Sequence, residues 1–124
     1  MTKEELEMFK SLKEKLEHEV TELFDYIKKK YLDVLAFGRY SSYHHYDMND
    51  DIIWIEYFDD GYYCYDSRDI DIPINDFLSN PFEWADCWAN NIRAEKQKEK
   101  DNAIKEQEKK EREELQRLKD KYEK

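Results

Sequence analysis

Apolar residues recur through the first thirty positions at the spacing of a helix. Phe9, Leu12, Leu16, Val20, Leu23, Ile27 and Tyr31 stand 3, 4, 4, 3, 4 and 4 apart, with Lys and Glu filling most positions between them. Such a stripe predicts one amphipathic helix with a single face to bury. Thr2 followed by Glu5 is a capping box, so the helix starts there. Its end is expected near Leu32 to Leu35, with Gly38 just beyond.

The period then changes. Ile52-Ile53-Trp54-Ile55-Glu56-Tyr57-Phe58 is β-branched and aromatic and predicts a strand. Asp59-Asp60-Gly61 carries hairpin chemistry, and Tyr62-Tyr63-Cys64-Tyr65 reads as the returning strand. Ile70, Ile72 and Ile74 alternate with Asp69, Asp71 and Pro73, one face buried and one wet. Continuity from 62 to 72 requires the two patterns to be reconciled, for which a bulge near Ser67 is the expected device. Tyr40 to Tyr46 is a weaker candidate for an edge strand, turned by Asn49-Asp50-Asp51 into Ile52.

Asn80-Pro81-Phe82-Glu83 supplies a cap residue, a proline at the first helical position and a closing acid. Trp84, Trp88 and Ile92, with Ala85 and Ala89, give the following helix an apolar face for its first turns. Beyond residue 92 the pattern becomes almost wholly charged, and neither Gly nor Pro stops it. Acid-to-base pairs four apart, such as Glu106 to Lys110 and Glu113 to Arg117, support a solvated helix. From Pro81 to Tyr122 it runs roughly 60 Å at about 1.5 Å per residue. A compact domain of about 90 residues has a radius of gyration of only ~12 Å, so the helix is expected to overhang it. Leu115, Leu118 and Tyr122 have coiled-coil spacing, but Glu108 and Glu111 interrupt the seam.

The expected fold is therefore α+β: an N-terminal helix, a three-stranded antiparallel sheet and a long charged C-terminal helix. Residues 1–92 form the single domain and 93–124 its helical extension.

Composition changes this picture mainly through charge. The chain has 124 residues, room for one domain, with 21 bases against 31 acids and a net charge of −10. Residues 33–92 hold only Arg39 and Arg68 against 13 acids, while residues 1–32 and 93–124 are close to neutral. Seven of the ten tyrosines fall in the same middle zone. Duplex DNA, RNA and anionic membranes need a basic footprint and are excluded as direct ligands. Two glycines leave no phosphate-cradling loop, and two cysteines make neither a disulfide framework nor a four-cysteine zinc site. The N-terminus has no apolar signal region and the longest apolar runs are four residues, so a cytoplasmic protein is expected, with Cys64 and Cys87 reduced and buried.

Candidate chemistry is sparse. His44-His45 precedes Asp47, but adjacent residues on a regular strand point to opposite faces. The two histidines are then not expected to share a metal, and a lone His45–Asp47 pair is no site; no catalytic residue, metal or cofactor is assigned. The acidic, tyrosine-rich zone is more informative. Surfaces ordinarily mix the two signs, and a one-signed field costs stability through self-repulsion unless it steers a basic partner. Asp59, Asp60, Tyr62, Tyr63, Tyr65, Asp66, Asp69 and Asp71 are the candidate partner-binding residues. Carboxylates supply charge and tyrosines rigid contact area.

The exit Asp71-Ile72-Pro73-Ile74-Asn75-Asp76-Phe77-Leu78 and the ending Glu114-Leu115-Gln116-Arg117-Leu118-Lys119-Asp120-Lys121-Tyr122 complete a familiar layout. Over roughly its last two-thirds the chain resembles the small acidic accessory proteins of bacteriophages and other mobile elements. That resemblance implies a phage or prophage origin and, by size, charge and layout, an anti-CRISPR-like activity in the host cytoplasm. The expected function is a non-enzymatic inhibitor of a basic, nucleic-acid-binding protein such as a CRISPR effector, competing with nucleic acid. Direct nucleic-acid and membrane contact are not expected, and self-association as a homodimer stays open. The alternative is a phage structural or replication adaptor that oligomerises or docks through its long helix. A small hydrolase built on His45 and the acids ranks last.

Overall fold

The computed structural model of the chain describes residues 1–61 and 66–123. Helix α1 (Lys3–Lys30) is followed by single 3-10 turns at Leu32–Val34 and Gly38–Tyr40. Strands β1 (Ser41–Met48), β2 (Ile52–Asp59) and β3 (Ser67–Pro73) come next, then the short helix α2 (Ile74–Ser79) and the long helix α3 (Pro81–Tyr122). The fold is α+β, with an antiparallel sheet in the order β1-β2-β3. The chain divides into two compact units, residues 1–89 and 90–124.

Both helix starts follow from local chemistry. The Glu5 amide donates to Thr2 Oγ1 at 3.1 Å. At α3 the Glu83 amide donates to Asn80 Oδ1, and the two side chains are also bonded, Asn80 Nδ2 donating to Glu83 Oε2 at 2.8 Å. Helix α1 stops at Lys30, earlier than the apolar stripe suggested. Tyr31 leaves the helical path at φ −130°, though its amide still donates to the Ile27 carbonyl. Gly38 sits at φ 55°, in the left-handed region where a side chain is strained.

The core of the first unit lies between α1 and one face of the sheet. Val20, Leu23, Phe24, Ile27 and Tyr31 are buried on α1. Ile53, Ile55 and Tyr57 of β2, and Ile70 and Ile72 of β3, are buried opposite them. Phe24 is the centre, with its ring 5.7 Å from that of Tyr57 and 6.2 Å from that of Tyr43. The early part of the α1 stripe is not covered: Phe9 and Leu12 are both 59% exposed. On α3 the residues that disappear are Ala85 and Ala89, small enough for close packing, while Trp84 and Trp88 stack half-buried beside them.

Strand details depart from expectation in four places. The weak edge candidate is a full eight-residue strand, turned by Asn49 Oδ1, which accepts from the amides of Asp51 and Ile52 at 2.8 Å. Asp60-Gly61 does not make a two-residue hairpin: Phe58 pairs with Ser67, and the Asp59 amide donates to the Asp66 carbonyl. The strand expected at Tyr62–Tyr65 lies outside the described residues. Gly61 is instead required by contact, since a Cβ there would meet the Tyr40 ring at 2.5 Å. Ile74 does not continue the alternation but opens α2, its amide donating to the Asp51 carbonyl. Finally, β3 pairs regularly from Ser67 onward, residues 62–65 of the stretch expected to bulge lie outside the described ones, and a bulge is found instead in β1 between Tyr43 and His45.

Burial of an aromatic side chain at the centre of so small a core predicts a large cost for its removal. Phe24→Ala should lower unfolding free energy by about 3–5 kcal/mol. Phe9→Ala, on the exposed part of the same stripe, should change it by less than about 0.5 kcal/mol. Urea denaturation of the two variants side by side checks the contrast.

Candidate functional site

Register fixes which side chains share the outward face of the sheet. Glu56 stands between His45 and Asp69, Trp54 between Asp47 and Asp71, and Phe58 between Ser42 and Ser67. These three cross-strand rows are about 6.7 Å apart along the strands, with neighbouring strands about 4.8 Å apart. Four carboxylates, from Asp47, Glu56, Asp69 and Asp71, therefore lie on a single patch around Trp54 and Phe58. Neither Lys nor Arg occupies a strand position on this face. Asp47, Asp69 and Asp71 are exposed, and Trp54, Glu56 and Phe58 half-buried.

The bulge adds two histidines to the patch. Tyr43 pairs with Tyr57 and His45 with Glu56, so His44 is the extra residue. An extra residue lets two neighbours oppose one partner and breaks the strict alternation of faces. The expectation that His44 and His45 point apart is thus overturned. Their rings meet edge to face at 4.7 Å, and that of His44 lies 5.8 Å from Phe58. His45 Nε2 approaches Glu56 Oε2 at 3.2 Å. The signal was present in the sequence: Tyr43 and Tyr46 are three apart, which a regular strand cannot place on the same face.

Of the eight candidate partner-binding residues, the five that are described do not share one surface. Asp69 and Asp71 are exposed on the outward face. Asp66 is held by Arg68, whose Nη1 lies 2.7 Å from its carboxylate. Asp59 Oδ1 accepts from the Gly61 amide, a turn contact, and Asp60 accepts from Ser42 Oγ at 3.3 Å. Tyr62, Tyr63 and Tyr65 lie outside the described residues. Asp47, Trp54, Glu56 and Phe58 share the face with Asp69 and Asp71 but are not among the candidates: Asp47 depends on β1, a weak strand signal, and Trp54, Glu56 and Phe58 depend on the β2–β3 register, which the sequence does not give. Cys87 is exposed, not buried, because it faces away from the side of α3 that buries Ala85 and Ala89. Cys64 lies outside the described residues.

A second cluster has perturbed ionisation and a structural role. Asp86 Oδ1 accepts from Tyr31 Oη at 2.5 Å, from Tyr26 Oη at 2.7 Å and from Lys30 Nζ at 3.3 Å. The Tyr31 and Tyr26 hydroxyls, with Lys30, hold the Asp86 carboxyl below its ordinary value. Reciprocally, the bond to Asp86 and burial raise the Tyr31 phenol, and the bonds to Tyr26 and Asp86 raise the Lys30 ammonium. Phe82 packs edge-on against Tyr26 at 5.0 Å. The cluster ties the end of α1 to the first turns of α3 through Asp86 Oδ1. Elsewhere burial raises the Tyr57 hydroxyl, which accepts from the Ala36 amide at 3.1 Å.

In comparisons with known proteins, no family model matches the chain, and no curated protein or solved structure is similar to it. Among the described residues no helix is long and apolar enough to cross a membrane.

The Asp86 cluster sets a pH dependence whose sign is fixed. A carboxyl depressed on folding stabilises fully above its unfolded value near 4, and that stabilisation is lost as pH falls through the lower folded value. Raised Lys30 and Tyr31 stabilise below about 10 and lose that contribution as pH rises through their folded values. Asp86→Asn should lower the melting temperature at pH 7 and flatten its fall as pH drops below about 4. Thermal melts of the two proteins across that range read both effects.

Proposed function

We propose that this protein is a non-enzymatic inhibitor that binds a basic, nucleic-acid-handling protein and competes with nucleic acid for it. The observation that carries the reading is the outward face of the sheet. It gathers Asp47, Glu56, Asp69 and Asp71 around Trp54 and Phe58, with no strand Lys or Arg to neutralise them. Like charges brought together cost stability, so such a patch is most simply explained by what it attracts. Carboxylates on a rigid sheet pair with Lys and Arg of a nucleic-acid channel, and the half-buried aromatics give contact area that desolvates those pairs. Duplex DNA carries one charge per ~1.7 Å, denser than these rows, so the patch imitates a short run of phosphates. The resemblance to mobile-element accessory proteins makes a CRISPR effector the first partner to try.

A second reading is favoured by a different observation. In residues 90–124, Ile104, Leu115, Leu118 and Tyr122 are all exposed on α3. An adaptor that docks or oligomerises through this helix would use them.

The two readings separate by mutation. With a purified CRISPR effector, the protein should reduce nucleic-acid loading in a strongly salt-dependent manner, since exposed pairs are screened within ~8 Å at physiological ionic strength. Asp69→Lys with Asp71→Lys should slow association by about tenfold or more and restore loading. Glu106→Lys with Glu108→Lys should do little. Surface-capture kinetics at two salt concentrations measure this. If the sheet variant binds like the parent and the helix variant does not bind, the adaptor reading replaces the inhibitor.

A further inference from the structure

The β1 bulge brings three metal-ligating groups together on the outward face. One imidazole nitrogen each from His44 and His45, and a carboxylate oxygen of Glu56, all lie within 4.8 Å of one another. His45 Nε2 and Glu56 Oε2 are 3.2 Å apart. Two ligands of a tetrahedral ion with bonds of about 2.1 Å sit about 3.4 Å apart, so this pair is already at coordination spacing. The His44 ring is exposed on the edge strand, and one of its nitrogens is within 4.8 Å of both other donors. The backbone beneath is fixed, because His45 and Glu56 are register partners and His44 is the bulged residue between paired positions.

From this arrangement we infer that His44, His45 and Glu56 form a surface site for a transition-metal dication of the Zn2+ class. Two imidazoles and one carboxylate suit Zn2+, Ni2+ or Cu2+, whereas Ca2+ and Mg2+ require a shell of oxygens. Three protein ligands leave the fourth tetrahedral position open to water or to a donor from another molecule. Asp69, register partner of Glu56, adds a second carboxylate to the local field. A cross-strand His45–Glu56 ion pair alone accounts for two of these groups but gives no part to His44. The pair His18–Glu22 on α1, at 3.6 Å, offers the same donor types without a third ligand and is an internal control. The inference does not rest on the proposed function, and its test needs no partner.

Titration of the full chain with Zn2+ in excess Mg2+, followed by calorimetry, should show one saturable site per chain with micromolar affinity. Co2+ used as a probe should develop visible absorption of a low-coordinate ion. Loss of a ligand's outer partner alone weakens metal sites by about 10–100-fold, so His44→Ala, His45→Ala and Glu56→Gln should each weaken binding at least about tenfold. His18→Ala should bind like the parent. Deleting His44 restores regular alternation while leaving Tyr43 and Tyr46 inward, and should abolish binding with the cooperative melt retained. Should the deletion unfold the chain, the three point substitutions decide. The inference is overturned by the absence of saturable binding, by equal displacement with Ca2+ or Mg2+, by binding indifferent to the three substitutions, or by binding that disappears in Cys87→Ser instead.

Discussion

A three-stranded sheet covered by one helix can hide only one of its faces, and the arrangement of the first unit depends on that constraint. The inward face is apolar at its centre, where Ile53 pairs with Ile72 and Ile55 with Ile70, and α1 is long enough to cover it with Val20, Leu23, Phe24, Ile27 and Tyr31. The outward face has to tolerate water. Parity therefore decides the fate of each strand residue, because a slip of one position would turn Ile53, Ile55, Ile70 and Ile72 outward. Strand β1 meets this demand with a sequence that does not alternate. Inserting His44 as a bulge keeps Ser41 and Tyr43 inward on one side and Tyr46 and Met48 inward on the other, opposite Ile55 and Ile53. The same insertion puts His44 and His45 side by side above Glu56. The clustering of donors is thus a direct consequence of how the core is kept apolar.

Charge follows the same partition. Asp86, beside the core, accepts three hydrogen bonds from Tyr26, Lys30 and Tyr31. That cluster joins helix ends far apart in sequence, and it places one of the thirteen acids of the middle zone where it stabilises the fold. On the outward face the acids have fewer partners. Glu56 and Asp69 are directly opposed, an arrangement that is unfavourable for like charges. His45 beside Glu56 relieves part of it, and only when protonated. A fold under no other pressure would replace some of these acids with lysine, as edge strands commonly carry.

Much of the architecture was legible because it rests on local chemistry. Thr2 and Asn80 cap their helices by bonds spanning three residues, and the Ile52–Phe58 run is strongly β-prone whatever surrounds it. What escaped reading depends on pairing across the sheet. Asp60-Gly61 is a strong hairpin signal, yet the register of Phe58 with Ser67 overrides it and sets Ile55 opposite Ile70 and Ile53 opposite Ile72, an alignment that a two-residue turn at Asp60-Gly61 does not give. Ile74 continues the alternation in sequence but begins α2, since the sheet has no further partner for β3 to follow. The α1 stripe is equally regular along its length, but only the part facing strands is buried; periodicity reports amphipathicity, not the extent of the surface available to cover it. The outward patch was partly visible, in Asp69 and Asp71. Trp54 and Glu56 become their neighbours only through the β2–β3 register, and Asp47 only once β1 is known to be a full strand.

The two readings of the outward face are coupled through Glu56. A Zn2+-class ion held there adds two positive charges to a patch whose attraction for a basic surface comes from four carboxylates. Linkage requires that the effect be reciprocal: whatever the ion takes from partner affinity, a docked basic partner takes from ion affinity. The open coordination position works in the other direction, since a histidine or carboxylate from the partner could complete the shell and give back more than the charge removes. Which sign prevails depends on whether the partner brings a donor or only cations to the patch. The bulge makes that choice available, because without His44 the face would be a plain acidic surface and could respond to a partner's charge alone.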